Sequence, residues 1–316
     1  MSLDVHVRKI LDQMASLKMP KLHEIGPQAA RAAMRASIFR GGDTPVGRIE
    51  NRTVPGPAGD VPVRVYTPLG QDAAVLPGLV FYHGGGFVIG DLDSHDDLAR
   101  CLANGSGCRV VAIDYRLAPE HPFPAAVEDC FAATRYIASH AGEFGIDPKR
   151  LAVSGDSAGG NLAAVICQLA KIEGGPAIAY QLLIYPVTQL GAAAETASMR
   201  ENAKGYFLEK ESMDWFTKLY CPDLKHRTDP RLSPLLASDL SGLPPAYVAT
   251  AGFDPLRDEG RDYADKLDAA GVAVTYVNYP GMVHGFFSMR SLIPKAREAV
   301  AAAAAAVKEG VASAPA

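Results

Sequence analysis

The 316-residue chain has no stretch approaching the roughly 18 to 20 consecutive apolar residues that a membrane-spanning helix needs. Its opening residues, MSLDVHVRKI, lack the unbroken apolar centre of a secretion signal, because Asp4, His6, Arg8 and Lys9 interrupt it. Lys and Arg form no run, and a formal net charge of -4 gives neither nucleic acid nor an anionic membrane an electrostatic foothold. No polyanion partner and no stable membrane association are therefore expected. Cysteine is scarce as well. The five present, at 101, 108, 130, 167 and 221, are odd in number and lack Cys-x-x-Cys spacing, which points to neither a disulfide framework nor a zinc site. Cys167, in LAAVICQLA, reads as a buried small hydrophobe, whereas Cys221, in YCPDL, is expected nearer the surface. A cytoplasmic, reducing setting fits this usage. What the chain does have is 48% hydrophobic against 21% charged residues, enough for a sizeable core.

Residues 1 to about 45 read as helical, with Leu3, Val7, Ile10, Leu11, Met14 and Leu17 recurring at intervals of three and four. RIENRTVPG and VPVRVYTP then make a hairpin-like pair with Pro-Gly turn chemistry between them. Six short apolar runs follow: LPGLVFYH, CRVVAIDY, RLAVSG, AYQLLIYP, PAYVATAG and VAVTYVNY. Each has the length and composition of a strand buried on both faces. Helical windows near 95–105, 125–140, 158–173, 257–270 and 294–309 alternate with them; the last holds the alanine run Ala299 to Ala306, too short and too charged at its flanks to enter a membrane. Strand, helix, strand implies an α/β protein with a mostly parallel, doubly wound sheet. The rhythm breaks between 188 and 243, where KESMDWFTKLY and many Pro and Asp residues intervene. The expected organisation is a core of 46–187 and 244–316, with 188–243 inserted as a helical cap that 1–45 joins in space.

Residues 155 to 159 read Gly155-Asp156-Ser157-Ala158-Gly159, between the strand-like RLAVS and the helix-like NLAAVICQLA. A serine on a tight strand-to-helix turn projects its hydroxyl from the sheet edge, while the small flanking residues let strand and helix approach. Ser157 is the candidate nucleophile; the bland alternative is a serine that merely caps the helix. Upstream, His83-Gly84-Gly85-Gly86-Phe87 ends another apolar run, and its glycines can present main-chain N–H groups to an oxyanion. It is not a phosphate cradle of the G-x-x-x-x-G-K-[ST] or G-x-G-x-x-G kind.

HGGGF upstream of GDSAGGN resembles the hormone-sensitive-lipase-like branch of α/β-hydrolases, the bacterial family IV esterases. DYRLAPEHPFPAAVED at 114–129, YCPDL, DPLRDEG at 254–260 and HGF at 284–286 carry the same resemblance, which spans about residues 60 to 290. It implies an α/β-hydrolase fold with a mostly parallel eight-stranded sheet and a helical cap, an ester substrate, and no metal or organic cofactor. It also implies an oxyanion hole from the N–H groups of Gly84, Gly85 and Ala158, a structural His83, and a possible homodimer.

A serine needs a base, and the base an orienting acid, in the chain order Ser, acid, His. Of the eight histidines only His226 and His284 follow Ser157. His284 lies in the Gly-flanked loop after VAVTYVNY, at a strand's carboxyl end where α/β sites form, whereas His226 sits in the charged LKHRTD. Asp254 directly follows PAYVATAGF and is the favoured acid over Asp258. Asp156 is expected to brace the elbow and Glu120 to hold the APEHP turn; His95, Asp96 and Asp97 read as a helix start rather than a metal set. Met14, Phe207, Trp215, Phe216, Leu219 and Tyr220 could line an acyl channel, or could be cap core. The expected activity is that of a carboxylesterase on short- to medium-chain esters, falling on acidification as the base is protonated. A deacetylase, lactonase or amidase shares the same triad. Plant gibberellin receptors resemble the motif set but lack the histidine, which is present here.

Overall fold

The structure is a computed structural model that describes residues 2–18, 20–37, 42–72, 74–190 and 196–313. Eight strands form one sheet in the order β1-β2-β4-β3-β5-β6-β7-β8. They are β1 (Arg48–Gly56), β2 (Gly59–Thr67), β3 (Leu76–Tyr82), β4 (Arg109–Ile113), β5 (Ile146–Asp156), β6 (Tyr180–Ile184), β7 (Ala246–Phe253) and β8 (Val274–Val283). The β1–β2 hairpin and the β2–β4 pair are antiparallel, and every other neighbour is parallel. Four of the parallel connections run through α3 (Asp96–Ser106), α4 (Ala125–Ser139), α5 (Ala158–Glu173) and α8 (Arg257–Ala269), and α9 (Pro294–Ala312) is the last helix.

Because strand side chains alternate, the apolar runs feed two separate cores. Leu79, Phe81, Val110, Ala112 and Leu182 pack beneath α3 and α9 on one face. Val80, Tyr82, Val111, Val153 and Leu183 pack against α4, α5 and α8 on the other. Each such side chain, fully withdrawn from water, contributes about 1.5–3 kcal/mol. The alanine run of α9 is what brings that helix close: Ala299, Ala303 and Ala304 are buried, and a methyl on Gly105 of α3 would come within 2.7 Å of Ala304 Cβ. One of the six runs departs from expectation. β8 is half exposed over most of its length, because it is the outer strand and only one of its edges is paired.

Two further groups of helices lie outside the sheet layers. At the N-terminus are α1 (Val5–Ser16) and α2 (Leu22–Arg35); between β6 and β7 are α6 (Ala197–Glu201) and α7 (Lys210–Tyr220). The sequence expectation of an insertion at 188–243 includes residues 191–195, which lie outside the described residues. Lys21, ahead of α2, pairs with Glu209 at 2.7 Å and with Glu211 at 3.1 Å, so the two groups meet. Arg31 of α2 donates to the carbonyls of Val88 and Ala118 and to Glu120, tying that helix to the segment after the glycine loop. Glu120 thus holds α2 rather than its own turn alone. Cys221 is buried, contrary to expectation: Tyr220 stacks on Phe87 with centroids 3.9 Å apart and draws the following residue inward. No helix among the described residues is long and apolar enough to cross a membrane.

Candidate active site

β5 runs straight into Ser157, which turns the chain into α5 with φ 58° and ψ -116°. A non-glycine residue pays about 1–3 kcal/mol for such a backbone, and the surroundings must hold it there. Ser157 N–H donates to the Ile184 carbonyl at 2.9 Å, and its own carbonyl accepts from Asn161 and Val187. The two flanking glycines are a packing requirement: a methyl on Gly155 would strike the Gly159 backbone, and one on Gly159 would strike the Tyr82 carbonyl.

At the ends of β7 and β8 the chain delivers two more side chains to the same point. His284 Nε2 lies 2.9 Å from Ser157 Oγ, and His284 Nδ1 lies 2.7 Å from Asp254 Oδ2. A carboxylate can only accept, so Nδ1 carries the proton and the Nε2 lone pair faces the serine hydroxyl. Asp254 is fully buried, and its other oxygen accepts from the Leu256 N–H at 2.9 Å. The ring of Tyr185 packs 4.6 Å from that of His284. Asp258, the competing acid, is engaged elsewhere: it accepts from Ser198 N–H at 2.7 Å and from Arg257 at 2.8 Å. His226 is remote in role too, packing against the Phe123 ring.

The glycine loop requires one correction. Gly84 N–H is donated to Asp156 Oδ1 at 2.9 Å, and Gly84 does not line the cavity beside Ser157. Gly85 and Gly86, both at positive φ, do line it, and Ala158 supplies the first N–H of α5 next to Ser157. Gly84 therefore anchors the loop, and its N–H is not free for an oxyanion.

Beneath the loop lies a buried polar cluster. His95 Nε2 stands 3.4 Å from Asp156 Oδ1. Burial disfavours both charges, yet each is outweighed by the partner: the Asp156 carboxyl sits below its ordinary range and the His95 imidazole above its own. His83, stacked on Tyr115 with centroids 4.3 Å apart, goes the other way, lowered to about 4 by burial and then by the His95 charge. The sequence gives His95 away only as a helix start; nothing in its spacing points to Asp156. Glu259 is also unannounced. It is fully buried, accepts from Thr188 N–H at 2.7 Å, and is pushed up to about 8 by burial.

Ser157, His284, Gly85 and Gly86 open onto a cavity of about 890 Å³. Met14 of α1, Phe207, and Met213 and Phe216 of α7 line it, whereas Trp215, Leu219 and Tyr220 do not. Met213, Phe216 and Thr217 share the face of α7 turned to the cavity; Trp215 and Leu219, one turn apart, pack against the core, and Phe216 does both. Trp215 and Leu219 thus pack, partly buried, against the core and do not line the cavity.

Residues 79–288 match the sequence model of a family described by the alpha/beta hydrolase fold. The chain is 47% identical over 292 residues to the carboxylesterase NlhH of Mycobacterium tuberculosis, covering 90% of each protein. It is 50% identical over 272 residues to the carboxylic ester hydrolase LipN of the same organism, covering 84% of this chain and 71% of that protein. An ester hydrolase from the metagenome of Lake Arreo superposes with a TM-score of 0.93 at 48% identity, over 97% of this chain and 98% of the other. The sheet order, the strained serine turn and these matches agree: the chain belongs to the α/β-hydrolase fold family.

Proposed function

We propose that this chain is a carboxylic-ester hydrolase working through an acyl-enzyme on Ser157. The observation that carries it is the unbroken hydrogen-bond chain Asp254–His284–Ser157 opening onto a largely apolar cavity. Relatives named as carboxylesterases at this level of identity support the substrate class. Ser157 Oγ attacks the ester carbonyl while its proton passes to His284 Nε2, and Asp254 holds the imidazole and its charge. The oxyanion is met by N–H groups of Gly85, Gly86 and Ala158. His284 gives its proton to the leaving alkoxide; water, deprotonated by the same imidazole, then splits the acyl-enzyme and releases the acid and Ser157.

Met14, Met213, Phe207 and Phe216 make an adaptable apolar wall that suits short to medium acyl chains. Helices α1, α2, α6 and α7 act as a cap over the core, and the five unpaired cysteines suit a reducing compartment such as the cytoplasm. The test is a fluorophosphonate probe together with 4-nitrophenyl esters of increasing acyl length. Labelling at Ser157 and turnover lost in Ser157→Ala are expected; a folded protein that neither labels nor turns over any ester overturns the reading.

A further inference from the structure

The cavity that holds Ser157 is walled by charges as well as apolar groups, and among the described residues the charges pair off with one exception. Lys21 meets Glu209 at 2.7 Å, and Lys210 meets Asp214 at 2.9 Å. His95 and His284 are matched by Asp156 and Asp254. Arg227 also lines the cavity, and among the described residues no carboxylate stands within ion-pair distance of it. Its Nε is buried and has no hydrogen-bond partner among the described residues.

The backbone around Arg227 is held firmly. It lies in the short 3-10 turn Leu224–Thr228, and Ser233 Oγ donates to its carbonyl at 3.0 Å. The neighbouring arginine is already spent, because Arg231 is paired with Asp229 at 2.7 Å and lies over the Phe123 ring. Arg227 is half-buried in the cavity wall with no carboxylate in ion-pair distance among the described residues, so an anion entering the cavity meets an uncompensated positive charge there. The planar fork of arginine fits a carboxylate with two parallel hydrogen bonds.

We propose that Arg227 recognises a carboxylate on the substrate, so that the preferred esters carry a second, anionic group, as the half-esters of dicarboxylic acids do. This rests on the ester-hydrolase reading and narrows it. It makes Arg227 a specificity-determining residue of the same cavity, with the apolar wall accommodating the chain between ester and carboxylate.

Two matched substrate pairs test it, one for each side of the scissile bond: monoethyl adipate against ethyl hexanoate, and 4-acetoxybutanoate against butyl acetate. In at least one pair the wild-type protein is expected to favour the anionic member. In that pair Arg227→Gln should lower the anionic-to-neutral ratio of kcat/KM at least about tenfold, chiefly through KM. Arg227→Lys, which keeps the charge but not the fork, should fall between. Rising salt should compress the wild-type ratio. The proposal is overturned if neither pair shows an anionic preference, or if the ratio is the same in wild type and both variants. Fluorophosphonate labelling of Ser157 and turnover of the neutral esters report separately on the ester-hydrolase reading. If those persist while the ratio is indifferent to Arg227, only the carboxylate role falls.

Discussion

Asp156 holds Gly84: the carboxylate of the residue before the nucleophile accepts the loop's N–H at 2.9 Å, so the serine turn and the glycine loop are fixed to one another. His95 in turn keeps that carboxylate ionised. Asp156→Asn retains an acceptor for Gly84 but loses the ion pair, and is expected to lower kcat about tenfold with little change in KM. Asp156→Ala, which frees the loop, is expected to cost about a hundredfold, the scale of one misplaced oxyanion donor. Steady-state kinetics on a neutral ester, with circular dichroism to confirm folding, check the order. Equal activity of the two variants would contradict it.

Ser157→Ala keeps a Cβ at the same strained φ, so neither relief nor new strain arises. Its melting temperature is expected to match wild type within a few degrees, while ester turnover falls by about 10⁴ or more. Calorimetry and a 4-nitrophenyl ester assay on the same preparation measure both.

Phe216 and Trp215 are adjacent in sequence and their rings pack 5.0 Å apart, yet only Phe216 lines the cavity. A methyl on Gly86 would run into the Phe216 ring, so that ring borders the loop at the reacting centre. Phe216→Ala is expected to move the acyl-length optimum toward longer chains at modest cost in stability. Trp215→Ala is expected to leave the optimum in place and to cost about 2 kcal/mol, because it removes a partly buried ring packed against the core. An acyl-length series and urea titrations of both variants distinguish the two.

Glu259 predicts a pH effect on stability. Its folded-state value of about 8 lies above the ordinary 4.5, so over that interval the folded chain holds a proton that the unfolded chain has released. The stability this supplies is complete below the lower value and is lost as pH rises through the upper one. Glu259→Gln removes the titration while keeping an oxygen to accept from Thr188. The variant should therefore gain on wild type as pH is raised from about 5 to 9. Denaturant midpoints across that range read the difference; a constant gap would refute it.

Much of this was legible in the chain alone. The apolar runs fell on strands β3 to β8, and the five helical windows on α3, α4, α5, α8 and α9, because their periodicities are local properties of the sequence. Ser157, Asp254 and His284 each sit in a short turn directly after a strand, and a parallel sheet gathers such turns at one edge, which is why these three candidates of the sequence meet within hydrogen-bond distance. The side of α7 that faces the cavity was beyond reach, because Phe216 and Trp215 are both large apolar residues on one amphipathic helix and only its docking against α2 and the core selects between them. The N–H of Gly84 was misassigned for a similar reason. Three successive glycines look alike as donors until the fold brings the Asp156 carboxylate, 72 residues away, against the first of them. The His95–Asp156 pair, the buried Glu259 and the place of Arg227 in the cavity wall are likewise products of packing. Sequence set the elements and the reactive residue types through near-neighbour chemistry; burial and long-range charge pairing, which exist only once the chain has folded, decided which donors and charges remain free to meet a substrate.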